Sequence, residues 1–88
     1  MKIAWDEEKR LSNLAKHGCD FADAVNFDWE NATFVDDDRQ DYGERRILAF
    51  GLFKGRLHII AFTPRNTEVR IISFRRANRR EVKRHGKS

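Results

Sequence analysis

The chain reads as an α+β protein: a small antiparallel β-sheet of three to four strands, flanked by two N-terminal helices and one C-terminal helix. Three observations lead there. Apolar residues recur at helical spacing in the first third of the chain, and from Arg45 onward they alternate as in strands, broken by tight turns. The length, 88 residues, makes residues 1–88 a single domain that buries about 60–65% of its unfolded surface, enough for one modest core.

Ile3-Ala4-Trp5 forms a short edge strand. Asp6 is an N-cap, and Glu7 and Glu8 in the first turn favour the helix dipole. Leu11, Leu14 and Ala15 give an apolar stripe, and Gly18 follows Lys16-His17 where a terminating glycine sits, so the first helix spans about Asp6 to His17. Asp20 caps a second, shorter helix carrying Phe21, Ala24, Val25 and Phe27. The stretch from Trp29 to Val35 reads either as loop or as the entry to a strand. Asp36 to Gly43 is the one long polar segment, expected as an exposed loop.

Arg45 to Phe53 then reads as a strand, Lys54-Gly55 as a tight turn, and Arg56 to Thr63 as its partner strand. Pro64 to Thr67 turns the chain into a third strand, Glu68 to Phe74, completing a meander. Ile59-Ile60-Ala61-Phe62 is apolar on both faces, which places that strand in the middle of the sheet. Asn78 with Glu81 has the spacing of a capping box, opening a last helix over about Ala77 to His85.

Charge is split between the two halves. Through Glu44 there are five Lys/Arg against twelve Asp/Glu, and from Arg45 there are thirteen against two. Seven arginines lie between Arg65 and Arg84. Guanidinium groups match phosphate better than ammonium groups do, so this density points to RNA, DNA or an acidic protein partner, against the plainer reading of a solvated basic face. The longest apolar run, Ile47 to Phe53, is interrupted by Gly51 and falls well short of the ~18 residues of a membrane span. The N-terminus lacks an apolar signal core, so the expected location is cytoplasmic. One cysteine, Cys19, permits no internal disulfide.

His17 beside Lys16 is the best-placed titratable pair, suited to proton transfer near neutral pH, although a histidine at a helix end also serves simply as a dipole partner. Glu68, the one acid between Glu44 and Glu81, is either a base in a basic site or an arginine's ion-pair partner. His17, Cys19 and His58 lack the paired spacing of a zinc site, so no metal and no cofactor is expected. His58 reads as a sheet-surface or core histidine; Tyr42 and Trp29 offer stacking surfaces for bases, against the plainer reading of Trp29 as a core or interface residue.

Three separated motifs resemble the BrnT toxins of type II toxin–antitoxin systems. Trp5-Asp6, Lys9, Asn13, Lys16-His17-Gly18, Phe21 and Ala24 match the N-terminal pattern. Asp38-Arg39, Tyr42-Gly43-Glu44, Gly51, Gly55-Arg56-Leu57 and Thr63 match the middle, and Arg70 to Ser73, Arg75, Ala77 and Glu81 the end. The resemblance implies a RelE-like ribonuclease fold, RNA cleavage that arrests translation, and a BrnA-type ribbon-helix-helix antitoxin in a two-plus-two complex that reaches operator DNA only through the antitoxin. One departure is His85, near a position where many family members carry tyrosine.

For such RNA cleavage the catalytic candidates are Lys16 and His17 for proton transfer, Glu68 as a weaker candidate, and Arg75 to neutralise the phosphorane, the pairing of His17 with Arg75 being what the resemblance implies. Arg45, Arg70, Arg76, Arg79, Arg80 and Lys83 would then hold the flanking RNA backbone. Whether His17 reaches the strand face of Ser73 and Arg75 is not legible in the sequence. The alternatives are a non-catalytic RNA- or DNA-binding module and a pure protein-interaction module.

Overall fold

The Asp6 carboxylate accepts the Glu8 N–H at 3.2 Å, and Gly18, at φ 72°, closes the same helix by donating its N–H to Leu14 O. Only glycine adopts that left-handed conformation without strain, so the helix stops where the sequence marks its end. The computed structural model describes residues 2–86. In chain order they form β1 (Lys2–Trp5), α1 (Glu7–His17), a 3₁₀ segment (Phe21–Asn26), β2 (Thr33–Asp36), β3 (Ile47–Phe53), β4 (Arg56–Arg65), β5 (Glu68–Arg76) and α2 (Arg79–His85).

The sheet has five strands in the order β1-β5-β4-β3-β2. β4 is central, and its Ile59, Ile60, Ala61 and Phe62 are all buried, as the two-faced apolar run requires. The sheet is mixed, not antiparallel throughout: β1 runs parallel to β5, with Trp5 opposite Ile71. β4 continues to Arg65, past Pro64, so the turn shrinks to Asn66-Thr67. Pro64 fits near the strand end, where the ladder is about to stop. A bulge at Ile72 shifts the β4–β5 register between Ala61 and Phe62.

One face of the sheet carries Ile60, Phe62, Ile71 and Phe74 against Phe21 and Ala24 of the 3₁₀ segment and Phe27 just after it. Trp29 seals that layer by donating its Nε1–H to Ala24 O at 2.8 Å. The opposite face buries a smaller cluster of Phe50, Ile59 and Ala77 beneath α2. Val25, expected in the core, is 68% exposed.

α1 packs differently from the stripe its sequence suggests. Leu11 is 52% exposed and Ala15 is open to solvent, while the buried position is Asn13. β1 pairing ends at Ile71, leaving the outer edge of β5 bare. Asn13 covers it: its Nδ2 donates to Phe74 O at 2.7 Å and to Cys19 O at 3.0 Å, and its Oδ1 accepts the Phe74 N–H at 3.2 Å. A side-chain amide thus continues the ladder where the strand stops.

The polar segment after β2 is an exposed loop, as expected, except at one position. Asp37 is buried, donates its N–H to Arg46 O at 2.8 Å, and anchors the segment to the sheet.

Gly51 is fixed by space. A Cβ there would lie 2.7 Å from Phe27 Cζ, and Phe27 is buried with no room to retreat. Gly51→Ala is expected to cost roughly 1–3 kcal/mol by overpacking, read in thermal unfolding as a midpoint fall of about 4–8 °C per kcal/mol.

Candidate active site

Strand alternation and the Ile72 bulge put Val69, Ile71 and Phe74 on the core face, so Arg70, Ser73 and Arg75 share the other one. This second face is only partly covered by α2, and its uncovered portion is basic. Arg75 is fixed by Glu81, whose two carboxylate oxygens accept from Nη1 at 2.8 Å and Nη2 at 2.7 Å. Glu81 also accepts the Asn78 N–H at 2.9 Å and so closes the capping box of α2. One carboxylate therefore positions both the helix start and the arginine. The Arg75 hydrogen bonds hold Glu81 down to about 2, and the pair keeps the Arg75 guanidinium above its ordinary range against partial burial.

His17 and Lys16, at the end of α1, line a shallow trough of about 400 Å³ with Lys9, Ser12, Ile72 and Ser73. Ser73 joins this trough to the Arg75 face. The His17 imidazole is pushed below its usual value by burial and by the charges of Lys16 and Arg75. It is therefore biased toward the neutral form, which can accept a proton.

A second clamped arginine lies in the segment after β2. Arg39 is held by the buried Asp37 through Nε at 2.7 Å and Nη2 at 2.9 Å, and Tyr42 donates its hydroxyl to Asp37 at 3.2 Å. Arg46 stacks on the Tyr42 ring at 3.6 Å. The Arg39 and Arg75 guanidinium groups are each clamped by their own carboxylate, and the Arg39 charge works slightly against that of Arg75. A guanidinium held in this way is suited to an anion beside it.

The other sequence candidates are dispersed. Glu68 begins β5, so it lies about 20 Å along the strand from Arg75. It opposes Lys2 of β1 and Arg65 of β4. Arg45 pairs with Asp36 at 3.0 Å beside the sheet edge. Arg70 stays on the open face, opposite Thr63. Arg76 and Arg79 border a separate groove. Arg80, Lys83 and Arg84 are exposed on α2, and among the described residues none of them is in an ion pair. His58 is a core residue, with Nδ1 2.8 Å from Arg56 O and its ring edge-on to Phe53 and Phe74. Among the described residues no three His, Cys, Asp or Glu side chains gather as a metal site. No helix among them is long and apolar enough to cross a membrane.

Sequence reasoning gave Glu81 a capping role and missed its grip on Arg75. The available signal was position: a capping carboxylate in the first turn of the helix, six residues beyond a strand-end arginine. Arg39 was visible only as a motif residue, the lone cation among Asp36, Asp37, Asp38 and Asp41.

A small α+β domain with an arginine-rich sheet face belongs to a class suited to binding polyanions such as nucleic acid, and comparison with known proteins gives the family. Residues 5–81 match the model described as "Ribonuclease toxin, BrnT, of type II toxin-antitoxin system". The crystal structure of the Brucella abortus ribonuclease toxin BrnT is similar at 35% identity and a TM-score of 0.73, covering 90% of this chain and 99% of that one. Comparison with curated protein sequences gives no match. The chain belongs to the BrnT family of ribonuclease toxins.

Proposed function

We propose that this BrnT-family toxin cleaves RNA by attack of the 2′-hydroxyl on the adjacent phosphate, without a metal ion, and so inhibits translation. The observation that supports this reading best is the bidentate Arg75–Glu81 pair on the open sheet face, joined through Ser73 to the His17 trough. RNA carries its own nucleophile, so the protein needs to supply only a base, an acid and charge stabilisation.

Neutral His17 accepts the 2′-hydroxyl proton as the 2′-oxygen bonds to phosphorus. The bond from phosphorus to the 5′-oxygen breaks, and the Lys16 ammonium donates the proton that oxygen takes up. Arg75 and Arg39 stabilise the charge of the phosphorane. Arg70, Arg79, Arg80 and Lys83 hold the flanking backbone. Arg45 and Arg76 are more distant contributors to the same field, and Glu68 has no part in the chemistry. The toxin is neutralised by a BrnA-type ribbon-helix-helix antitoxin in a two-plus-two complex, which alone confers operator binding. Its fold is read as a variant of the RelE-like ribonuclease plan.

The test uses toxin freed of antitoxin and end-labelled RNA in excess chelator. Cleavage leaving 2′,3′-cyclic phosphate ends is expected, and it should vanish when a single 2′-deoxy nucleotide replaces the scissile one. Cleavage that survives the deoxy substitution would reject 2′-hydroxyl attack. Salt-sensitive binding with no new ends would favour a binding module instead.

A further inference from the structure

α2 divides the open face of the sheet. On one side lie Ser73, Arg75 and the His17 trough. On the other is a groove of about 770 Å³, within the ~300–1,000 Å³ range of binding clefts. Its floor is aliphatic. Leu52 is 52% exposed and Val82 46% exposed, with Leu57 and Ala77 between them. These exposed side chains sit together, and the catalytic reading makes no use of them.

Arg56, Arg76 and Arg79 make the rim mainly basic; the one carboxylate in the lining, Asp28, accepts hydrogen bonds from the Asn31 side chain. A basic rim attracts RNA as readily as an acidic protein, so the floor must decide. Unpaired bases are held by stacking on free aromatic faces. The one aromatic ring of the floor, Phe50, is 7% exposed, and His85 already stacks on it at 4.0 Å. What remains is a strip of branched aliphatic side chains under a cationic edge. That combination fits the apolar stripe of an amphipathic segment whose flanking residues are carboxylates.

We infer that this groove is the docking site for an acidic amphipathic segment of the antitoxin, seated on Leu52 and Val82 and paired with Arg56, Arg76 and Arg79. The inference rests on the toxin–antitoxin reading above and adds the surface and the partner chemistry. The segment lies against α2 on the side opposite His17, so it grips the toxin without covering the proton-transfer groups. It does engage Arg79, one of the residues assigned to the RNA backbone. His85 closes the floor, so in this chain the ring at that position serves the partner groove and not the cleavage chemistry.

The experiment places a photo-crosslinking amino acid at position 52 of the full-length toxin in complex with its co-expressed antitoxin, with position 25 as the control. Val25 is apolar and more exposed than Leu52 but lies on the 3₁₀ segment. Crosslinking to the antitoxin from position 52 and not from 25 is expected, at an acidic amphipathic stretch of the partner. Leu52→Asp should weaken the complex about 10- to 100-fold, while leaving the melting midpoint and the RNA cleavage of free toxin unchanged. Val82→Asp should act in the same direction.

A wild-type complex that forms normally, yet crosslinks only from position 25 or tolerates both substitutions, would overturn the groove and leave the antitoxin reading standing. Loss of RNA binding in Leu52→Asp with an intact complex would reassign the groove to RNA and overturn the proposal. Absence of any complex with the wild-type toxin would remove the antitoxin reading, and this inference with it.

Discussion

Arg75→Ala is expected to slow RNA cleavage by about 100- to 1000-fold, the usual cost of removing one pre-organised donor from a developing anion. The size of the effect follows from how the guanidinium is held. Glu81 fixes it through two hydrogen bonds of 2.8 and 2.7 Å, and its side chain is about one-third exposed, so its orientation is set before RNA arrives. Arg75→Lys should recover little, because a point charge cannot reproduce the planar two-pronged geometry.

A second readout separates this role from a structural one. The Arg75 charge helps depress the His17 imidazole, after burial and Lys16. Removing it should raise His17 toward its ordinary value. His17 as general base must be neutral, so the acidic limb of the rate profile should move to higher pH in Arg75→Ala. Single-turnover rates across pH, with melting curves alongside, measure both effects. Cleavage within a few-fold of the original, or a slowed enzyme whose profile does not move, would take Arg75 out of the site.

Asn13→Ala is expected to be the most damaging substitution for stability. It strips partners from the Phe74 N–H, the Phe74 carbonyl and the Cys19 carbonyl at once. Each unsatisfied buried group costs about 1–3 kcal/mol, against total stabilities of roughly 5–15 kcal/mol for small domains. Asn13→Asp tests the polarity of the arrangement. A carboxylate could still accept the Phe74 N–H, but it would face two carbonyl oxygens with no proton to offer.

Its pKa would therefore be raised, and stability would be lost as pH rises through that value. Relative to the original protein, Asn13→Asp should gain stability as pH falls, because protonation restores a donor. Chemical denaturation at several pH values gives the answer. An Asn13→Ala midpoint close to the original would show that α1 does not depend on this anchor. Because Asn13 fixes the helix that carries Lys16 and His17, cleavage should fall with it.

Local signals were the legible ones. The Asp6 cap and Gly18 stop of α1, the Lys54-Gly55 turn, the two-faced apolar run of β4 and the Asn78–Glu81 capping box all depend on residues a few positions apart. Their energetics are local, so the sequence states them directly. The basic second half and the three family motifs were legible for the same reason: they are properties of residue order and composition.

The apolar stripe of α1 misled because periodicity reports which residues dislike water, not what lies beside the helix. At a bare sheet edge the need is for hydrogen bonds, and Asn13 meets it while Leu11 stays exposed. The parallel pairing of β1 with β5 joins residues more than sixty positions apart, as Trp5 with Ile71. No short-range pattern encodes that.

By itself, then, the sequence determined where α1 starts and stops, the turn between β3 and β4, which strand is central, the sign of the charge and the family. Only the tertiary structure decided the fifth strand and the mixed sheet, the trough that Ser73 shares with His17, the Asp37 clamp on Arg39, and the second use of Glu81. Caps and turns are set by neighbouring residues. A site built from α1, β5, α2 and the segment after β2 is set by how the sheet closes, and closure is a property of the whole packed chain.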